Sequence, residues 1–136
     1  MKTAFNTIRV LIAEDDPNIC KLYSLEFMRH GFVVYTANDG RQAIQKFKNK
    51  EPDIVLLDIM MPHADGYQVL REIRKELNRY VPVMMLTNLD VTEFTDREAI
   101  DFVDAYLVKS NYTPSEVVER AIEVLRLNKL LPVEVC

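Results

Sequence analysis

Glu14, Asp15 and Asp16 follow one short apolar run, Asp58 ends another, Thr87 closes a third and Lys109 a fourth. A rim that gathered those side chains would hold carboxylates, a hydroxyl and an ammonium together. Bare carboxylates about 5 Å apart repel by roughly 3 kcal/mol at an effective dielectric of about 20. Positive charge must relieve such a cluster. Lys109 is one remedy, and a hard divalent cation that takes a few oxygen ligands while keeping several waters, which is Mg2+ behaviour, is the other. We expect both. An Asp held beside such a cation, a lysine and a hydroxyl is a competent nucleophile toward a phosphoryl group, whose transferring oxygens the positive groups would neutralise. The residue types point to phosphoryl chemistry at Asp58.

That chemistry needs a fold that brings the run ends to one rim. Short apolar runs rich in β-branched residues alternate with longer helical patterns five times along the chain, the signature of a parallel sheet wrapped by helices. The spacing predicts strands at Val10 to Ala13, Val33 to Thr36, Ile54 to Leu57, Val83 to Leu86 and Ala105 to Val108. Right-handed βα units place ligands at the carboxyl ends of such strands, with the first and third strands adjacent. Glu14, Asp15 and Asp58 therefore converge. Helix starts are marked by Asp16-Pro17, by Asp39 and Asp65 each three residues before a Gln, and by Thr113-Pro114-Ser115-Glu116, all cap signals. The first helix, about Pro17 to His30, carries Ile19, Leu22, Tyr23 and Phe27 inward and stops at Gly31. The third carries Leu70, Ile73 and Leu77. The last, Pro114 to about Asn128, carries Val117, Val118, Ala121, Ile122 and Leu125, with Glu116 and Arg120 paired outside. Between the fourth and fifth strands, Phe94, Ile100 and Val103 make an incomplete stripe for a helix within Thr92 to Phe102, expected to be the most mobile element.

The chain has 136 residues, 49% of them hydrophobic, with 17 Lys+Arg against 21 Asp+Glu for a net charge of −4. Disorder and miniature disulfide or metal scaffolds are excluded, because a chain this long buries enough surface to hold a core. The acidity argues against nonspecific wrapping of nucleic acid, which needs a basic stripe. Cys20 and Cys136 have neither CxxC spacing nor a disulfide pattern. The opening residues lack the roughly 7 to 15 residue apolar stretch of a signal peptide, and no run approaches the roughly 18 apolar residues of a membrane span. A cytoplasmic setting with no membrane contact is expected.

Glu14-Asp15, Asp58 followed by Met61-Pro62 and Asp65-Gly66, then Thr87, Tyr106 and Lys109 resemble a response regulator receiver domain of two-component signal transduction. The resemblance covers roughly Ile8 to Leu127. It implies a flavodoxin-like open five-stranded parallel sheet, order 2-1-3-4-5, with five helices in a single domain. The division is then a lead-in at 1–7, the receiver at 8–127 and a tail at 128–136. It further implies that Asp58 accepts a phosphoryl group from a histidine kinase or phosphotransfer protein. Asp15, Asp58 and the Met60 backbone carbonyl would bind Mg2+, with Glu14 acting through water. Lys109 would pair with Asp58, Thr87 would donate its hydroxyl to the phosphoryl group, and Tyr106 would swing inward as Thr87 moves. The readout would be a population shift at the last strand and last two helices, where a downstream protein effector docks. No direct contact with nucleic acid is implied.

Some residues have plainer readings. Asp16 is expected to cap the first helix, His63 to be an exposed loop residue, and His30 to sit at a helix C-terminus, a good place for a cation. Arg71, Arg74, Lys75 and Arg79, interleaved with Glu72 and Glu76, read as a solvated mixed-charge face. Met60, Met61, Met84 and Met85 read as core or site lining. A phosphatase of the haloacid dehalogenase type would need an acid at position 60 and finds Met60. A flavin protein would need a phosphate loop where Glu14-Asp15-Asp16 stands.

Four departures from the receiver pattern stand out. Asn88 replaces the small residue that usually follows Thr87, and Ser110 replaces the usual proline. Phe102-Val103 stands where Gly-Ala is common. Met60 and Leu89 flank the path of an attacking water and cannot orient one, so slow autodephosphorylation is expected. A phosphorylation-independent binding module is the alternative that Asn88 and the altered loop keep open. The tail beyond Asn128 either packs back, pairs two subunits as a homodimer, or begins a linker.

Overall fold

The buried apolar runs become strands because a run with no polar face can satisfy its backbone only inside a sheet covered on both sides. The structure is a computed structural model and describes residues 8–88 and 102–128. Its strands are β1 (Arg9–Ala13), β2 (Val33–Ala37), β3 (Ile54–Asp58), β4 (Val83–Thr87) and β5 (Ala105–Val108). They pair in parallel in the order β2-β1-β3-β4-β5. Pairing of Ala13 with Leu57, of Asp58 with Leu86, and of Thr87 with Val108 brings the ends of β1, β3, β4 and β5 level. That register assembles the rim.

Four helices cover the sheet among the described residues: α1 (Pro17–Arg29), α2 (Gly40–Lys50), α3 (Gly66–Arg74) and α4 (Pro114–Leu127). Successive strand residues point to opposite faces, so two cores form. Val10, Ile12, Leu56, Met84 and Leu86 pack with Phe27, Val117, Ala121 and Leu125. Leu11, Ala13, Val55, Leu57, Val83 and Met85 pack with Phe47, Val69, Leu70 and Ile73 on the other side. The expected caps are formed. Asp16 accepts from the Asn18 and Ile19 amides, Asp39 from Gln42, and Asp65 and Thr113 sit in reciprocal capping boxes with Gln68 and Glu116. Gly31, at φ 90°, takes the left-handed turn after α1, and His30 is its C-cap. The helix expected within Thr92 to Phe102, like Leu89 and the tail after Asn128, lies outside the described residues, although Phe102 itself sits in a turn.

Several inward assignments are corrected. Leu22 is 56% exposed, because α1 buries Cys20, Tyr23, Ser24 and Phe27 instead. The Ser24 hydroxyl donates to the Cys20 carbonyl at 2.7 Å, which satisfies it locally and lets a polar residue occupy the apolar stripe. Leu77 is 92% exposed, since α3 ends at Arg74 and leaves it in the following loop. Ile122 is half-buried and Val124 buried in its place. Glu116 is engaged by the cap at Thr113, so Arg120 pairs with Glu123 at 3.6 Å rather than with Glu116.

The edge strand β2 is guarded by lysines. Val33 donates to Ile8, and Ala37 accepts from Glu14, so the odd-numbered residues bond to β1 and the peptide groups of Val34 and Thr36 face outward. Lys46 donates its ammonium to the Thr36 carbonyl. Lys50 sits 5.4 Å from the centre of the Tyr35 ring.

Arg74 is not part of a solvated face. Its guanidinium donates to the Phe102 carbonyl at 2.9 and 2.6 Å, to Val81 at 2.7 Å and to the Tyr80 hydroxyl at 3.2 Å, and lies 3.4 Å from Asp104. Asp104 also accepts from the Val83 amide at 2.8 Å and from Asn128 at 3.4 Å. This clasp joins α3, β4, β5 and α4 at the end of the sheet opposite the rim. Arg74→Ala is expected to cost about 2 kcal/mol in urea unfolding, because two carbonyls and a carboxylate lose a charged donor. Arg74→Lys should recover only part of that, since an ammonium cannot reproduce the fork.

Candidate functional site

The β1 end turns sharply so that Asp16 can cap α1, and this places Glu14 beside Asp58. Glu14 and Asp58 are 3% and 5% exposed, whereas Asp15 is open to solvent. One oxygen from each of the three carboxylates lies within 4.8 Å of the others, the one such acidic group among the described residues. Lys109 crosses from the end of β5 and donates to Glu14 Oε1 at 2.6 Å and to Asp58 Oδ2 at 3.2 Å. The sequence reading paired Lys109 with Asp58; the shorter contact is to Glu14. The second oxygens are also engaged, since Asp16 N–H donates to Glu14 at 3.1 Å and Met60 N–H to Asp58 at 3.3 Å.

The electrostatics follow from burial. Loss of solvent, helped by the nearby Asp58 charge, pushes the Glu14 carboxyl up to about 7 against the pull of Lys109 and the Asp16 amide. Burial likewise raises Asp58, opposed by Lys109 and the Met60 amide. Burial alone would lower Lys109, but its bonds to Glu14 and its attraction to Asp58 outweigh that and hold it above the ordinary lysine value. Three carboxylates against one ammonium leave the cluster short of positive charge. All-oxygen donors that still want two charges suit a hard divalent cation such as Mg2+, and the group of Glu14, Asp15 and Asp58 could hold one.

Thr87 ends β4 fully buried, and Tyr106 stands half-buried opposite Met85 on the neighbouring strand. The Met60 side chain is 65% exposed at the mouth of the site rather than in the core, while Met61, Met84 and Met85 are buried as expected. Asn88 is exposed just beyond Thr87, and His63 lies exposed in the loop after β3 with φ 70°.

Glycine contributes support that the sequence reading did not assign. Gly66 N–H donates to Ile59 at 2.8 Å, and a Cβ on it would stand 2.5 Å from the Asp58 carbonyl. The start of α3 is thus pressed against the backbone that carries Asp58. A glycine directly after a cap residue was the available signal.

The Response regulator receiver domain family model matches residues 10–122. A probable transcriptional regulator ycf27 of Guillardia theta is 41% identical over 119 residues, which cover 87% of this chain and 45% of that protein. The alkaline phosphatase synthesis transcriptional regulatory protein PhoP of Bacillus subtilis is 32% identical over 90% of this chain and 50% of its own length. The chain thus spans about half the length of these relatives. Among solved structures, the Francisella response regulator 1452 receiver domain superposes with a TM-score of 0.78 at 30% identity, covering 90% of this chain and 99% of that one. Response regulator protein TrrA of Thermotoga maritima, solved in complex with Mg(2+)-BeF, gives 0.77 at 33% identity over 88% of this chain and 100% of its own. With the strand order, the rim and a family match over most of its length in agreement, this chain belongs to the response regulator receiver domain family, the signalling domains of two-component systems.

Proposed function

We propose that this domain is a phosphorylation-switched receiver in which Asp58 accepts a phosphoryl group from a histidine kinase or phosphotransfer protein. The observation that supports it most is the placing of Asp58: buried at a strand end, fixed by Lys109 and the Met60 amide, and close to two further carboxylates. Such a carboxylate is oriented yet short of positive charge. An Asp58 oxygen forms the new bond to phosphorus while the bond from phosphorus to the donor imidazole nitrogen breaks, and the imidazole leaves as the neutral base. Bound Mg2+ would neutralise charge on the transferring oxygens. Asp15, Asp58 and the Met60 carbonyl are the groups to hold it, with Glu14 acting through water. Lys109 then turns from Asp58 to the phosphoryl oxygens, and Thr87 donates its hydroxyl to them. Tyr106 follows Thr87 inward, which shifts the population of conformers at β5 and α4 where a downstream protein docks.

The test is intact mass after incubation with acetyl phosphate. A single phosphoryl adduct in Mg2+, absent in EDTA, is the expected result. No adduct on folded protein, beside a control receiver that labels, would overturn the proposal in favour of a phosphorylation-independent binding module.

Adduct lifetime offers a separate check. The exposed Met60 side chain cannot orient a water, and Leu89 has no polar atom to do so. The adduct is expected to outlast that on receivers with polar residues at both positions. Met60→Asn should shorten it by about tenfold in a time course of intact mass, less than the roughly 100-fold of a true general base because Asn orients water without deprotonating it.

A further inference from the structure

The loop from Ile59 to Asp65 carries the Met60 carbonyl and is pinned at its ends, where Ile59 and Met61 are buried and Asp65 caps α3. Its middle, from Pro62 to Ala64, leans on α2, a helix that contributes no chemical group to the rim. The Pro62 carbonyl accepts from the Ala64 amide at 2.8 Å and from the Gly40 amide at 3.3 Å. A Cβ built on Gly40 would stand 1.8 Å from the Ala64 oxygen, 2.5 Å from the Ala64 carbonyl carbon and 2.6 Å from the Ala64 Cβ. Two of those atoms are backbone, so no side-chain rotation relieves the contact. Backbone conformation does not demand glycine there, because Gly31 is the glycine with positive φ. In the first turn of a helix, alanine is the better former. Gly40 is therefore needed for space alone, and the space is taken by the loop.

We infer that Gly40 is a positioning residue for the cation site: the absence of a side chain at the start of α2 lets the 59–65 loop, which carries the proposed Met60 carbonyl ligand, seat against Ala64 beside the Asp58 strand end. This rests on the Mg2+-dependent reading above. The loop is clamped from two sides, by Gly66 against the Asp58 backbone and by Gly40 against Ala64. Gly66 lies in the loop's own helix, whereas Gly40 comes from the helix before β3. A group at Gly40 would push the loop outward without touching any carboxylate.

The experiment compares wild type, Gly40→Ala and Arg74→Ala, the last a destabilised control at the far end of the sheet. Calorimetric titration with MgCl2 should show binding weakened about 10- to 100-fold in Gly40→Ala, the range for groups that orient metal ligands, and unchanged in Arg74→Ala. In metal-free protein, the Met60 and Gly66 amides of Gly40→Ala should exchange faster with solvent than in wild type. At saturating Mg2+ the rate of adduct formation from acetyl phosphate should return close to that of wild type, which separates positioning from chemistry. Unchanged Mg2+ affinity with unchanged Met60 and Gly66 exchange would overturn the inference, as would an equal loss of affinity in Arg74→Ala. Should Gly40→Ala fail to fold, wild type decides: Mg2+ should slow solvent exchange of the Gly40 amide, which bonds to the Pro62 carbonyl of the loop, and an unchanged rate would overturn the inference. A wild-type protein that neither binds Mg2+ nor forms an adduct would instead remove the functional reading itself.

Discussion

Asp58→Asn is expected to abolish the Mg2+-dependent phosphoryl adduct outright. The substitution keeps the side-chain shape and leaves a carbonyl oxygen for the Met60 amide or Lys109, so the loss cannot be ascribed to collapse of the rim. What disappears is the nucleophile, because a neutral amide oxygen does not form a stable acyl phosphate. Lys109 keeps its 2.6 Å bond to Glu14, and one desolvated charge is removed from a cluster that already lacks positive charge. The metal-free variant should therefore unfold at a urea concentration no lower than wild type, in keeping with the small net worth of many buried ionic groups. Mg2+ affinity should fall, since one of its proposed anionic holders has gone. A Mg2+-dependent adduct forming on Asp58→Asn at the wild-type rate would move the acceptor elsewhere, with exposed Asp15 the first place to look.

Stability in EDTA should decline by about 3 kcal/mol as pH rises from 4.5 to 7, on account of Glu14. Its folded value of about 7 lies above the ordinary 4.5, and each tenfold gain in proton affinity on folding corresponds to about 1.4 kcal/mol. The folded state holds a proton in that window that the unfolded state has released, so folding is favoured at the acid end and the benefit is lost as pH climbs through 7. Asp58, also raised by burial, tilts the curve in the same direction. Lys109 stays charged throughout, and the half-buried Glu72 and exposed Glu116, lowered by their partners, act with opposite sign only at lower pH. Urea unfolding at intervals of pH measures the slope. Glu14→Gln should flatten most of it, and Mg2+ at 100 times its dissociation constant should restore about 2.7 kcal/mol at pH 7.5. A flat profile in wild type, or an unchanged slope in Glu14→Gln, would be inconsistent with this account.

Much of this was legible in the chain because parallel strands translate sequence into space simply. A residue that ends an apolar run ends a strand, and level strands put Glu14, Asp58, Thr87 and Lys109 on one rim. Caps were equally legible, since Asp16, Asp39, Asp65 and Thr113 act on amides two or three residues away. What failed to show depended on partners distant in sequence or on satisfaction of polar atoms. Ser24 entered the core by bonding to its own helix, which displaced Leu22 outward. Arg74 looked like one charge among several until Phe102, Val81 and Asp104 surrounded it. Gly40 carried no chemical signal at all, because what it supplies is an absence of volume against Ala64, 24 positions along the chain.

The lysines along β2 bear on how the domain behaves when crowded. An open sheet ends in strands with unused peptide groups, and β2 is apolar enough to tempt another chain into extending it. Lys46 already occupies the Thr36 carbonyl, one of the outward-facing acceptors such a chain would need, and any newcomer must first strip an ammonium from it. Lys46→Ala would remove that guard while leaving the acidic rim chemically intact. A preparation of that variant should lose colloidal stability at high concentration before it loses its fold, and light scattering against concentration would register the difference.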